Sequence, residues 1–565
     1  MRKIGKFFLW LIVIVVTLQV AGIVVVFFSR RIRSNTILTL RLAGDIPEQP
    51  PQEAVSQLVG GTPLTVTDIV EALDRAKSDP RITALELRAS ESTMNMGKLQ
   101  EVRQKILEFR QTGKPTVAYL EFATNRTYYL ASSCQTVFLL PKSVLYVRGL
   151  MASSTFLRGT LDKLGVRPNL FHVGDYKNAM NVFTERKFTP AHREATLALV
   201  EDWSQEFVRG VAEARGLKPE DVQAAVAWGP FTSQEALDAR LVDRVAYEDE
   251  QRDFLKKKNH GSDTRLRLRE YLRRTDSTGE AKIAVIYATG TIVPGRSGES
   301  PVGEDFMGSE TIAEQFRRAR EDNALKAVVL RVDSPGGSAF SSEVIRREVE
   351  LTRRNKPVVV SMSDVAASGG YWISMTANKI VAEPGTITGS IGVLTGKFNI
   401  LGLYEKLGFT KDYVALTDNA TLDYAFQDFT PAQRELIQKQ MRDTYRQFLE
   451  GVAAGRSMKV EAVDKIAQGR VWTGERAKQL GLVDELGGLH TALALAKRLA
   501  KIPAEEKVAV LYLPPPRSLL DKILDLVEGT RELSPVTTVR AWLRSLETLA
   551  REPVWALTPA VPEMQ

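Results

Sequence analysis

Apolar residues in this chain follow two rhythms that alternate over most of its length. Short β-branched runs such as "AVVLRV" (327–332) and "KPVVVSM" (356–362) are bounded by turn residues, and between them "SSEVIRREVELTRR" (341–354) repeats its apolar positions at helical spacing. Strand, helix and strand at this spacing predict parallel βαβ units, since parallel strands need a long crossover, and therefore an α/β fold. One segment breaks the rhythm. Phe7 to Phe28 is an uncharged run of 22 residues, which as a helix rising ~1.5 Å per residue crosses a ~30 Å hydrocarbon layer. It predicts one N-terminal transmembrane helix. A cleaved signal peptide has a shorter apolar region ended by a small-residue site, and the one such site here, "VAG" (20–22), lies inside the run.

The alternating pattern occurs twice. "TDIVEALDRAKSDPRITALELRA" (67–89) and "ETIAEQFRRAREDNALKAVVLRV" (310–332) share Ile69 with Ile312, Arg75 with Arg318, Asp79 with Asp322 and Arg88 with Arg331. "KPTVAYL" (114–120) answers "KPVVVSM", "FTPAHRE" (188–194) answers "FTPAQRE" (429–435), and "ARLVD" (239–243) answers "LGLVD" (480–484). A tandem duplication explains this. The expected division is an anchor at 7–28, a first repeat at 37–250, a charged linker at 251–281, a second repeat at 282–515 and a tail at 516–565, about which the sequence says little.

Charge changes the picture less than the total implies. Six basic residues flank the apolar run, and with them set aside 70 of the 76 basic residues remain against 68 acidic ones. The formal charge of +8 is thus a membrane-flank effect and gives no case for nucleic-acid binding. Because basic residues stand on both sides of the run, they do not decide its orientation. A single cysteine, Cys134, excludes an intramolecular disulfide and thiolate zinc sites, and the four histidines are far apart with no metal-ligand spacing. No metal and no organic cofactor is expected.

The candidate chemistry lies in "DVAASGGYWISM" (364–375) and "DSPGG" (333–337). Aligned on the shared Lys-Pro, the first repeat places Arg126 opposite Ser368 and "SESTM" (90–94) opposite "DSPGG". A serine kept for packing would not usually be matched by a large charged residue. A serine attacking a carbonyl needs backbone N–H groups aimed at the developing oxyanion, and glycine lets the substrate approach that backbone closely. Gly337 and Gly369 are the candidates for this hole. A serine also needs a base, and no G-x-S-x-G elbow, S-x-x-K motif or neighbouring histidine supplies one. "GDYKNAMNVFTERKFTP" (174–190) of the first repeat carries Lys177, whereas the matching "TDNATLDYAFQDFTP" (417–431) of the second has no lysine. One repeat keeps the serine and the other a lysine, the pattern expected of a composite site.

With "LRVDSPGGS" (330–338), "AASGGYWIS" (366–374), "TGSIGV" (388–393) and "GDYKNA" (174–179), the chain resembles the long, tandem-repeat form of bacterial signal peptide peptidase A, or protease IV, over nearly its whole length. The resemblance implies two Clp-protease/crotonase-like domains, with Ser368 as nucleophile, Lys177 as general base and Ser390 orienting the lysine. It implies a membrane-anchored serine endopeptidase that degrades cleaved signal peptides and similar short apolar peptides. It further implies a homo-oligomer, a tetramer in the family, single-pass in the bacterial inner membrane, with residues 1–6 cytoplasmic and the catalytic domains extracytoplasmic. Two rival readings, a crotonase-type acyl-CoA enzyme and an inactive membrane scaffold, would need no Ser and Lys pair.

Overall fold

The computed structural model describes residues 31–49, 63–275, 280–299, 305–506, 508–515 and 555–557. The expected anchor and most of the tail lie outside the described residues. Among the described residues no helix is long and apolar enough to cross a membrane.

The first repeat opens with strand β1 (Thr36–Gly44), helix α1 (Val66–Ser78) and strand β2 (Ile82–Ser92), followed by α2 (Met96–Gln111), β3 (Thr116–Leu120), α3 (Asn125–Ala131), β4 (Thr136–Leu139) and β5 (Arg167–Val173). It closes with β6 (Arg244–Val245), α4 (Glu248–Lys258) and β7 (Arg265–Arg267). Six parallel strands form one sheet in the order β7-β1-β2-β3-β4-β6. Helix starts follow local chemistry. At α1 the Thr65 hydroxyl accepts from the Asp68 N–H at 3.0 Å while the Asp68 carboxylate accepts from the Thr65 N–H at 3.1 Å, which satisfies two otherwise orphan donors.

The second repeat repeats the plan with β8 (Ala281–Thr289), α5 (Ser309–Glu321), β9 (Ala327–Ser334), β10 (Gly336–Ser338), α6 (Ala339–Arg353), β11 (Val358–Ala367), α7 (Gly369–Ser374), β12 (Lys379–Ala382), β13 (Ile387–Gly389), β14 (Val393–Asn399), β15 (Glu485–Leu486), α8 (Leu489–Leu499) and β16 (Ala509–Leu513). The order β16-β8-β9-β11-β12-β15 matches the first sheet strand for strand. All ten residues of β11 are buried, as expected for a parallel strand covered on both faces.

Two expectations are corrected. The described residues of the stretch 251–281 are not a solvated linker: they hold the end of α4 and all of β7, counterparts of α8 and β16, so the first repeat extends to where β7 pairs with β1. Its charge run is the solvated face of a surface helix, while Gln251, Leu255, Leu266 and Tyr271 are buried. The alignment that set Arg126 opposite Ser368 is off by one. Tyr128 Oη donates to the Leu241 carbonyl as Tyr371 Oη donates to that of Leu482, so Asn125 stands at the place of Ser368. The second repeat carries one residue more between Lys-Pro and this helix, and the surplus sits in a bulge of β11. There Val332 pairs with Met362 and Ser334 with Ala366, leaving Asp333 opposite Ser363, Asp364 and Val365.

The repeats pack as one body. The core of the first takes in Val365, Ala367, Ile387 and Val471 of the second. β5 leaves its own sheet and pairs antiparallel with β14, Val173 opposite Val393.

Candidate active site

The excursion of β5 into the second repeat sets up the site, because the chain turns at Gly174 and delivers Lys177 four residues beyond Val173. Tyr176 N–H donates to the Gln468 carbonyl at 2.8 Å and holds the turn. Gly469 is required there: its φ is +75°, and a Cβ on it would lie 2.6 Å from the Lys177 backbone nitrogen.

Lys177 is completely buried, and its Nζ meets three oxygens: Ser368 Oγ at 2.6 Å, the Ser390 carbonyl at 2.9 Å and Ser390 Oγ at 3.0 Å. Burial pushes its pKa well below the ordinary lysine value. A neutral amine has two N–H donors and one lone pair. The Ser390 carbonyl can only accept; with Ser390 Oγ accepting the second N–H, the neutral amine can turn its lone pair to the Ser368 hydroxyl proton. An amine held this way can deprotonate Ser368.

Ser368 sits between β11 and α7 at φ 57° and ψ −113°, in the region that L side chains rarely adopt. Such strain costs on the order of 1–3 kcal/mol and persists where surrounding structure enforces it. Here Ser368 N–H donates to the Gly389 carbonyl at 2.8 Å, and the Ser368 carbonyl accepts from Trp372 N–H at 2.8 Å. Ser390, also at positive φ, is fixed by its N–H on the Arg470 carbonyl at 2.7 Å.

Gly337 and Gly369 adjoin each other. A Cβ added to Gly369 would lie 3.0 Å from the Gly337 nitrogen, and one on Gly337 would lie 2.1 Å from the Ile292 carbonyl oxygen, so neither position has room for a side chain. Beside them runs a slot one strand wide, between β10 and β14. The chain's own strand β17 (Trp555–Leu557) fills it, antiparallel to β10 with Gly337 opposite Ala556, and antiparallel to β14 with Trp555 opposite Leu394. The structure thus gathers all five sequence candidates, Ser368, Lys177, Ser390, Gly337 and Gly369. Sequence reasoning missed Gly469, and it missed Lys98, Asp333 and Asp364 behind the bulge. "DSPGG" had flagged the neighbourhood of Asp333, but Lys98 sits in no motif.

Residues 108–261 and 350–503 each match Peptidase family S49. Serine protease SPPA, chloroplastic, from Arabidopsis thaliana is 35% identical over 505 residues, covering 88% of this chain and 74% of the relative. Protease 4 from Salmonella typhi is 36% identical over 478 residues, covering 82% and 76%. A putative signal peptide peptidase SppA from Enterococcus faecium is 34% identical over 231 residues, covering 40% of this chain and 66% of that protein.

Proposed function

This chain belongs to peptidase family S49 and is a serine peptidase, and on that premise we propose that Ser368 is its nucleophile, Lys177 its general base and Ser390 the residue that orients the lysine. The observation that carries the reading is the 2.6 Å contact between Ser368 and a buried amine whose pKa burial pushes well below the ordinary lysine value. Lys177 takes the hydroxyl proton as Ser368 Oγ attacks the scissile carbonyl carbon. The N–H groups of Gly337 and Gly369 hold the oxyanion. Lys177 returns the proton to the departing amine, and then takes one from the water that cleaves the acyl-enzyme. No step calls on a metal or organic cofactor.

Cleaved signal peptides and similar short apolar segments are the proposed substrates, a class also named in one relative. An extended peptide fits the slot between β10 and β14, where β17 lies. Residues 7–28 would anchor the chain in a bacterial inner membrane with the repeats on the extracytoplasmic side. Incubating the purified full chain with a serine-reactive acyl probe, a signal-peptide panel and acyl-CoA thioesters tests the reading. Labelling at Ser368 with peptide cleavage supports it; thioester turnover without peptide cleavage would favour the crotonase-type reading, and neither activity the scaffold. Substrate and β17 compete for one slot, and a tethered strand has an effective concentration on the order of millimolar. Deleting residues 552–565 is therefore expected to lower KM several-fold with kcat unchanged, measured on a fluorogenic peptide.

Assembly into a homo-oligomer, a tetramer by family resemblance, is supported by faces that the duplication leaves unmatched. In sheet two the row Tyr287, Arg331, Ser361 is covered by Thr67 of α1, Glu48 and Glu101 of α2. The equivalent row in sheet one, Arg41, Arg88, Tyr119, lines an open cleft of about 570 Å³ together with Phe122. Gly97 and Glu101 of α2 face the second repeat, while their counterparts on α6, Phe340 and Val344, are 56% and 46% exposed. Head-to-tail packing of α6 into the next chain's cleft would repeat the contact made within the chain, and such a heterologous contact builds a ring when its rotation closes. Phe340→Glu is expected to shift the assembly to smaller species in light scattering.

A further inference from the structure

The bulge in β11 is gripped from the first repeat. Asp364 accepts from two backbone N–H groups at the start of α2, from Asn95 at 3.0 Å and from Lys98 at 2.8 Å, and so caps that helix in place of a local side chain. α2 comes so close that a Cβ on Gly97 would lie 2.6 Å from the Ser363 carbonyl oxygen. Ser363 Oγ donates to Glu48, and its carbonyl accepts from Thr386 Oγ1 at 2.6 Å. Val365 N–H donates to Asp333 Oδ1 at 3.1 Å. Every bulge residue is therefore tied down.

One cation sits at the centre. Lys98 Nζ lies 2.8 Å from Asp333, 3.8 Å from Asp364 and 4.0 Å from Glu48, with its side chain 12% exposed. Arg331, fully buried, pairs with Glu48 at 2.8 Å and Glu101 at 2.6 Å and so is already engaged. Glu383 behind it is pushed up to about 8, by burial first and then by Glu101, with Glu206 adding to the rise. Burial opposes a charge on Lys98, yet Asp333, Asp364 and Glu48 together hold it protonated. Asp364 is pushed up to about 6, by burial first and then by Asp333, against the pull of Lys98.

Asp333 stands near the end of β9, four residues before Gly337, and Asp364 lies four residues before Ser368. Both carboxylates face one lysine across a bulge, a device that re-aims a strand where it occurs beside an active site. We propose that Lys98 is a positioning residue for this reaction: by neutralising Asp333 and Asp364 it holds the β11 bulge that sets Ser368 against Lys177 and the glycine loop. The first repeat then supplies a clamp as well as an amine. The inference rests on Ser368 being the nucleophile.

The full chain carrying Lys98→Met, Lys98→Arg, Asp333→Asn or Lys98→Met with Asp333→Asn tests it, read for kcat, KM, thermal midpoint and pH dependence on one fluorogenic peptide. Lys98→Met is expected to lower kcat about 100-fold with KM little changed, the size of effect that a displacement of about 1 Å produces. Lys98→Arg restores most of kcat, and the double variant is no worse than Lys98→Met because both changes act through one contact. The deficit of Lys98→Met narrows several-fold between pH 8 and pH 5.5: without the pull of Lys98 the Asp364 carboxyl rises further, and its protonation removes charge that Lys98 had balanced. A kcat within threefold of wild type overturns the proposal, as does a deficit equal at both pH values or one that Lys98→Arg leaves uncorrected. Should Lys98→Met not fold, Asp333→Asn decides: it keeps an acceptor for Val365 N–H, and a kcat unchanged in it overturns the proposal. Acyl-probe labelling keeps the two readings apart. An unlabelled Ser368 in the wild type sinks the nucleophile assignment, whereas labelling of Lys98→Met at the wild-type rate sinks only the clamp.

Discussion

Ser368→Ala is expected to lower kcat/KM by about 10⁵-fold or more while leaving the fold intact, measured on a fluorogenic peptide with circular dichroism as the control. The magnitude follows from the roles: with the hydroxyl gone no acyl-enzyme forms, and what survives is binding and the oxyanion donors. The backbone adds a second readout. Ser368 stands at φ 57°, so alanine retains the strain and glycine relieves it. Ser368→Gly should be equally inactive yet melt higher than Ser368→Ala. Activity within tenfold of wild type in either variant would remove Ser368 from the mechanism.

Lys177→Met should be as inactive as Ser368→Ala, and the double variant no worse, since the pair acts as a unit. Lys177→Arg should fail too, because a guanidinium keeps its proton at any usable pH. Wild-type kcat/KM should rise with pH through a pKa well below that of a free lysine, as burial depresses Lys177. Stability carries the matching sign. The unfolded chain binds a proton that folded Lys177 releases, so folding is penalised below the ordinary lysine pKa and the penalty fades as pH rises towards it. Lys177→Met is therefore expected to raise the thermal midpoint at neutral pH while abolishing turnover. A lower midpoint, or retained turnover, would mean the amine is not held neutral against Ser368.

Much of this was legible in the sequence because duplication turns one chain into two aligned witnesses. Ser368 and Lys177 stood out as groups each kept by one repeat, and the strand and helix rhythm gave the parallel sheets. What stayed hidden depends on side chains meeting across the repeats. Lys98 reads as one more surface lysine on a helix, and only the fold shows Asp333 and Asp364 beside it. The stretch 251–281 misled because a charge run looks alike on a linker and on the outer face of a helix, and the buried Leu255 and Tyr271 that distinguish the two are too sparse to set a period. The shift from Arg126 to Asn125 came from a single extra residue in β11, which alignment on Lys-Pro could not place.

The separation of 191 positions between the proposed base and nucleophile also bears on when a newly made chain can become active. Synthesis completes the lysine half first, at about 5–20 residues per second. Until the serine half docks, Lys177 faces water, carries its proton and can activate nothing. A chain arrested midway holds Lys177 but lacks Ser368, the partner it would activate. On the proposed roles, hydrolytic power arrives only once the two repeats have docked, and an unfinished copy has none.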